Sequence, residues 1–147
     1  MTIFGIGTDI VSVERIKNSL KNKNFINRIF NKKEISKCKK INNSNNCYAK
    51  RFAAKEAFSK ALGTGISNGI NFNEIVILNK KSGKPYVNVV GQTSKTLNKK
   101  FKKKKIKISL SLSDEKKYAV AFVTISLWIK KKLFTLFMIM RKRYLEH

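Results

Sequence analysis

The chain has 147 residues, 42% of them hydrophobic, which suits one domain with a modest core. Its 33 basic side chains against 8 acidic ones leave a formal charge of +25, a field that favours acidic proteins or polyanions, although lysine and asparagine are spread so evenly that charge alone names no partner. No run reaches the roughly 20 apolar residues of a membrane span, and charges and glycines break any apolar stretch near the start, so neither a span nor a secretory signal is expected and a cytoplasmic setting is.

Ile3-Phe-Gly-Ile-Gly-Thr-Asp-Ile-Val11 predicts a strand over 2–11, being short, aliphatic and without helical period. Alternation puts Phe4, Ile6, Thr8 and Ile10 on one face and Ile3, Gly5, Gly7, Asp9 and Val11 on the other. Two glycines beside an acid mark a place where another backbone or a ligand comes close; a barrel bend with Asp9 capping the next helix is the alternative. Helices are expected within 12–40. Cys38 and Cys47 flank Asn42-Asn-Ser-Asn-Asn46 with neither the spacing nor the histidines of a zinc site, so they are expected as free thiols.

A helix over 48–62 carries the most chemistry. In Arg51-Phe-Ala-Ala-Lys-Glu-Ala-Phe-Ser-Lys60, a turn of about 100° per residue brings Phe52, Glu56 and Lys60 onto one face, with Ala53, Ala57, Ala61 and Leu62 beside them. The plain reading is an i,i+4 ion pair on an exposed helix; the other is a working carboxylate and ammonium at the edge of the core. Gly63-Thr-Gly65 stops the helix. Strands follow at 72–78 and 85–90 around a Ser82-Gly83 turn, then a short helix at 92–101, then strands 105–112 and 117–127 around Ser113-Asp114-Glu115. Ile106, Ile108, Leu110 and Leu112 alternate with polar residues, whereas 118–123 is apolar on both faces, as in a buried strand or a subunit contact. The architecture is α+β.

Gly5-Ile-Gly-Thr-Asp-Ile-Val-Ser-Val-Glu-Arg-Ile16, the block Arg51 to Ile66, and Gly83-Lys-Pro85 together resemble the holo-acyl-carrier-protein synthases over about residues 2–127. The resemblance implies a 4'-phosphopantetheinyl transferase fold, an antiparallel sheet with a long central helix, assembled as a homotrimer with sites at subunit boundaries. It implies transfer of the phosphopantetheine arm of coenzyme A to a serine of apo acyl carrier protein, releasing adenosine 3',5'-bisphosphate, in fatty acid biosynthesis. Magnesium is the implied cofactor, with Asp9 and Glu56 its carboxylates; such an ion takes oxygen ligands from one or two carboxylates plus substrate phosphates. Lys60 is then the third catalytic residue, facing the coenzyme A phosphates. Arg51, Lys55, Gly63, Thr64, Gly65, Lys84 and Pro85 are the implied substrate-binding positions, with a solvated helix lysine the equal alternative for Lys55. Arg15, Lys21 and Arg28 lie where the family docks its carrier. The resemblance names no unique general base.

One departure concerns Ser111-Leu-Ser-Asp-Glu115, where many members carry a Ser-His pair; Asp114 is expected as a turn residue. Residues 128–147 form a basic and apolar extension beyond the 1–127 domain, with Leu133-Phe-Thr-Leu-Phe-Met-Ile-Met140 between basic triplets. The extension suits either a membrane surface or packing on its own subunit, and catalysis is expected not to need it. Two other functions stay in view: a nucleic-acid-binding module, suggested by Lys99-Lys-Phe-Lys-Lys-Lys-Lys105 but lacking an RNA-binding signature, and a carrier-binding relative without catalysis, which would have no use for both Asp9 and Glu56.

Overall fold

The computed structural model describes residues 1–65, 69–102 and 104–128. Strand β1 (Thr2–Ser12) leads into three short helices, α1 (Val13–Ser19), α2 (Lys23–Ile29) and α3 (Lys32–Lys39), and then the long α4 (Ser44–Leu62). A 3-10 turn (Phe72–Glu74) precedes β2 (Ile75–Asn79) and β3 (Pro85–Val89); α5 (Gly91–Lys100), β4 (Ile106–Asp114) and β5 (Tyr118–Leu127) complete the order. The asparagine-rich composition serves the short helices. Asn22 caps α2 at Asn24 and Phe25 N–H, and Asn31 caps α3 in a capping box with Glu34.

An antiparallel three-stranded sheet runs β1-β5-β4, and β2 pairs with β3 in a separate hairpin. Helix α4 crosses the first sheet and is buried around most of its girth. The two strand glycines make room for another backbone: a Cβ on Gly5 would lie 2.0 Å from the Ala61 carbonyl oxygen, and one on Gly7 1.9 Å from that of Ala57. Ala119 and Ala121 on the central strand keep the same face shallow, so α4 lies flush on the sheet. Ser12, not Asp9, caps α1, accepting from the Arg15 N–H.

Three expectations about local structure are corrected. Residues 72–74 form a 3-10 turn rather than the start of a strand, with the Phe72 carbonyl turned inward onto Lys55. A register shift between Ile3 and Gly5 breaks the alternation of β1 at its start, so that Ile3 does not share the α4-facing side with Gly5 but is exposed, and Phe4 packs edge-on against Phe101 at 4.8 Å. Cys38 and Cys47 are not free thiols. The α3–α4 turn brings their Cα atoms to 5.5 Å, within disulfide range, and they are bonded.

Candidate active site

Because Gly5 and Gly7 admit α4 so closely, Asp9, next on the same face of β1, meets the last turns of that helix. The Lys60 ammonium donates to Asp9 Oδ1 at 2.8 Å and to the Thr8 carbonyl at 3.0 Å. The local i,i+4 pair is therefore replaced by a tie across the helix–strand seam: Lys60 binds Asp9, and no ion pair joins it to Glu56 among the described residues. Glu56 is half-buried, and burial, with the neighbouring charge of Asp9, raises its pKa against the opposing pull of Lys60 and Arg15.

Asp9 and Glu56 lie close enough for the charge of one to raise the pKa of the other, even with Lys60 on Asp9 and Arg15 nearby. That is the environment a hard divalent cation relieves. Magnesium takes oxygen from one or two carboxylates and completes its shell with water and phosphate oxygens, and Asp9 and Glu56 would offer it those two carboxylates. The residues fit that ion.

A cleft lies toward the other end of α4. This cleft of about 560 Å³ is walled by Lys50 and Arg51 of α4, Lys80, Lys81 and Pro85 of the β2–β3 hairpin, and Asp114 of β4. Asp9, Glu56 and Lys60 are not among its walls. Arg51 is buried, donating to the Cys47 carbonyl at 3.1 Å, to Cys47 Sγ at 2.9 Å and to Asn79 Oδ1 at 3.4 Å, while its Nε has no partner. Burial lowers its pKa, partly offset by Glu34. Asp114 is not the turn residue expected. It ends β4, where Lys50 binds it at 2.7 Å and Asn46 at 2.9 Å; burial works against its ionisation, but those hydrogen bonds and the Lys50 charge hold its pKa below the usual carboxylate range. Its charge is thereby answered inside the cleft wall.

Lys55 is the clearest correction among the site residues. It is neither a solvated helix lysine nor placed to meet a phosphate, because its ammonium is fully buried and all three donors are taken: Glu34 Oε2 at 2.8 Å, the Phe72 carbonyl at 2.9 Å and the Ile75 carbonyl. Burial pulls its pKa down to about 8 against the counter-effect of Glu34. Glu34 also accepts from the Asn31 and Ile77 N–H groups, so one buried ion pair joins α3, α4 and β2. Glu34 escaped the sequence reading, although Asn31-x-x-Glu34 is a capping-box signal. Nothing in the sequence shows that its second oxygen reaches into the sheet.

The other expected positions fall at three places. Gly63 ends α4 with φ 70° and its N–H on the Lys60 carbonyl; Gly65 follows with φ 59°, and Thr64 between them is half-buried. Lys84 and Pro85 open β3, where both border a smaller cavity of about 310 Å³ between β3 and β4. Arg15, Lys21 and Arg28 are exposed on the α1–α2 segment, with Arg15 close enough to Glu56 for its charge to be felt there. Neighbouring Lys17 is paired with Glu14 at 3.3 Å.

The family model of the 4'-phosphopantetheinyl transferase superfamily matches residues 5–123. The chain belongs to this superfamily. A holo-(acyl-carrier-protein) synthase of Pelagibacter ubique (strain HTCC1062) is 53% identical over 123 residues, 84% of this chain and 96% of the relative. One from Ehrlichia canis (strain Jake) is 46% identical over 128 residues, with 84% and 94% covered. Among solved structures, the holo-(acyl-carrier-protein) synthase of Neisseria meningitidis aligns with a TM-score of 0.77 at 40% identity, covering 85% of this chain and 99% of that one. The enzyme from Bacillus anthracis str. Ames, solved in complex with CoA (3',5'-ADP), aligns with a TM-score of 0.70 at 34% identity, covering 85% and 97%. The family and the α+β transferase fold expected from the three motifs are thus borne out.

Proposed function

We propose that this chain transfers the 4'-phosphopantetheine group of coenzyme A to a serine hydroxyl of an apo acyl carrier protein, releasing adenosine 3',5'-bisphosphate, as a magnesium-dependent step supporting fatty acid biosynthesis. The observation that carries it is the Asp9, Glu56 and Lys60 cluster, built across the flush contact of β1 and α4 in a chain 53% identical to a holo-(acyl-carrier-protein) synthase. When bound by Asp9 and Glu56, magnesium supplies charge neutralisation for the diphosphate. Lys60, half-exposed and aimed at Asp9, is positioned to turn to an incoming phosphate oxygen and stabilise the charge that shifts to the leaving group. The serine, the phosphorus and the leaving oxygen need in-line placement, which rigid elements such as α4 and β1 supply better than loops.

The cleft of Lys50, Arg51 and the β2–β3 hairpin fits the remaining anionic part of coenzyme A, and Arg51, Lys84 and Pro85 stay in that role. The cluster lies apart from the cleft on one subunit, since none of its three residues walls the cleft. A homotrimer that sets the cluster of one subunit beside the cleft of the next would complete each site. Ile6, Ile10, Val120 and Phe122, exposed on the outer face of the sheet, supply the apolar surface such packing needs. Arg15, Lys21 and Arg28 are the carrier-docking cations, steering an acidic partner toward Glu56. The cytoplasm is the setting this reading favours. The test is intact mass of an apo acyl carrier protein incubated with coenzyme A, magnesium and this protein. One phosphopantetheine should be gained and the gain lost on chelation; a folded protein that gives no gain with any divalent ion would refute the reading.

A further inference from the structure

One end of the molecule combines cations and bare apolar side chains in a way the transferase reading leaves unused. Thr2 pairs with Leu127, so the start of β1 and the end of β5 sit side by side, and the Trp128 N–H donates to the Lys105 carbonyl at 3.0 Å. Here Met1 is 67% exposed, Ile3 60%, Phe4 41% and Trp128 51%. Around them the ammonium groups are held over rings: Lys100 lies 5.6 Å from the centre of Phe4 and Lys105 5.8 Å from that of Trp128. Lys99 in the last turn of α5 and Lys102 and Lys104 in the α5–β4 connection are exposed as well. The stretches at this end, 1–4, 98–107 and 125–128, contain no aspartate or glutamate.

We propose that this end is a docking surface for an anionic lipid bilayer, with Met1, Ile3 and Trp128 entering the headgroup boundary and Lys100, Lys104 and Lys105 meeting the lipid phosphates. Such a boundary rewards both properties at once: apolar area leaves water while lysines approach a negative surface. A tryptophan ring also sits well at that depth. Phosphate-only recognition, as by RNA, would use the lysines but gain nothing from Met1 and Ile3, which offer no hydrogen bond. Past Trp128 the sequence continues in the same chemistry, Lys130-Lys-Lys132 followed by Leu133-Phe-Thr-Leu-Phe137. Peripheral contact is meant, since no helix among the described residues is long and apolar enough to cross a membrane.

Trp128 is the sole tryptophan and so reports on its own surface. The full chain would be mixed with vesicles of phosphatidylglycerol and phosphatidylcholine, and with phosphatidylcholine alone, while tryptophan emission is recorded. The expected result is a blue shift, and quenching by brominated acyl chains, with the anionic vesicles only. Neutralising three lysines together (Lys100→Gln, Lys104→Gln, Lys105→Gln) should weaken binding about a hundredfold, from roughly fivefold per charge, with circular dichroism unchanged. The proposal is overturned by equal binding to neutral vesicles, or by a folded triple variant that binds as wild type. It is equally overturned if association occurs without quenching and polyuridylate produces the same response, which marks a polyanion site. Shielding of Trp128 from aqueous quencher before vesicles are added would show that another copy of the chain already covers this end.

Discussion

Asp9, Glu56 and Lys60 differ in what each contributes, and their substitutions should differ accordingly. Asp9→Ala and Glu56→Ala each remove one of the two carboxylates that the proposed magnesium site relies on, so transfer to an acyl carrier protein should fall by about two to three orders of magnitude and added magnesium should no longer rescue it. Lys60→Ala should lose activity too while leaving metal dependence in place, because its partner Asp9 is freed rather than removed. Exposed Lys95→Ala is the control, and an equal loss there would show that the cluster has been misread. Lys55 belongs to the opposite category. Lys55→Met strips the buried Glu34 carboxyl of its partner, and urea unfolding should show a loss of about 3–5 kcal/mol. A phosphate-binding lysine would instead raise KM with stability intact.

Among the elements, α5 depends on an acid outside it. Glu74 accepts from Gln92 N–H at 3.0 Å and from Thr93 N–H and Oγ1 at 2.7 Å, and Asn71 adds a fourth bond. Burial opposes ionisation, yet these bonds hold its pKa down to about 2. Since an unfolded glutamate titrates near 4.3, the unfolded chain binds more protons between those values. The stabilisation is complete above about pH 4.3 and is lost as pH falls toward 2. Glu74→Gln should cost about 1–2 kcal/mol at neutral pH, as lost helix caps do, and flatten the acid limb of a stability–pH curve measured by urea unfolding. The Cys38–Cys47 bond closes a short loop, with a sequence separation of 9, between α3 and α4. Reduction should lower stability by about 2–3 kcal/mol, which melts with and without a dithiol reductant would measure; Cys47→Ser should match the reduced protein.

At the scale of the whole molecule, the family match ends at residue 123 and the last strand among the described residues at Leu127, while residues 129–147 lie outside those described. A chain ending at Leu127 should therefore stay folded and keep transferase activity against the same carrier, as a boundary between a 1–127 domain and its extension requires. Loss of activity in a folded truncation would move that boundary. Much of the molecule was legible before any coordinates. The order of strands and helices followed from apolar period and glycine punctuation, Gly63 from the end of a periodic run, and the family from three motifs standing in chain order. These signals are local, carried by a few neighbouring residues and the directions their side chains must take. Tertiary structure decided the rest. It chose Asp9 rather than Glu56 as the partner of Lys60, because two glycines let a helix and a strand touch. Lys55 went into the core because an acid on another helix could meet it there, and two cysteines joined because a turn closed between them. Pairings between distant segments depend on how closely backbones approach, and that distance is set by the packed core as a whole.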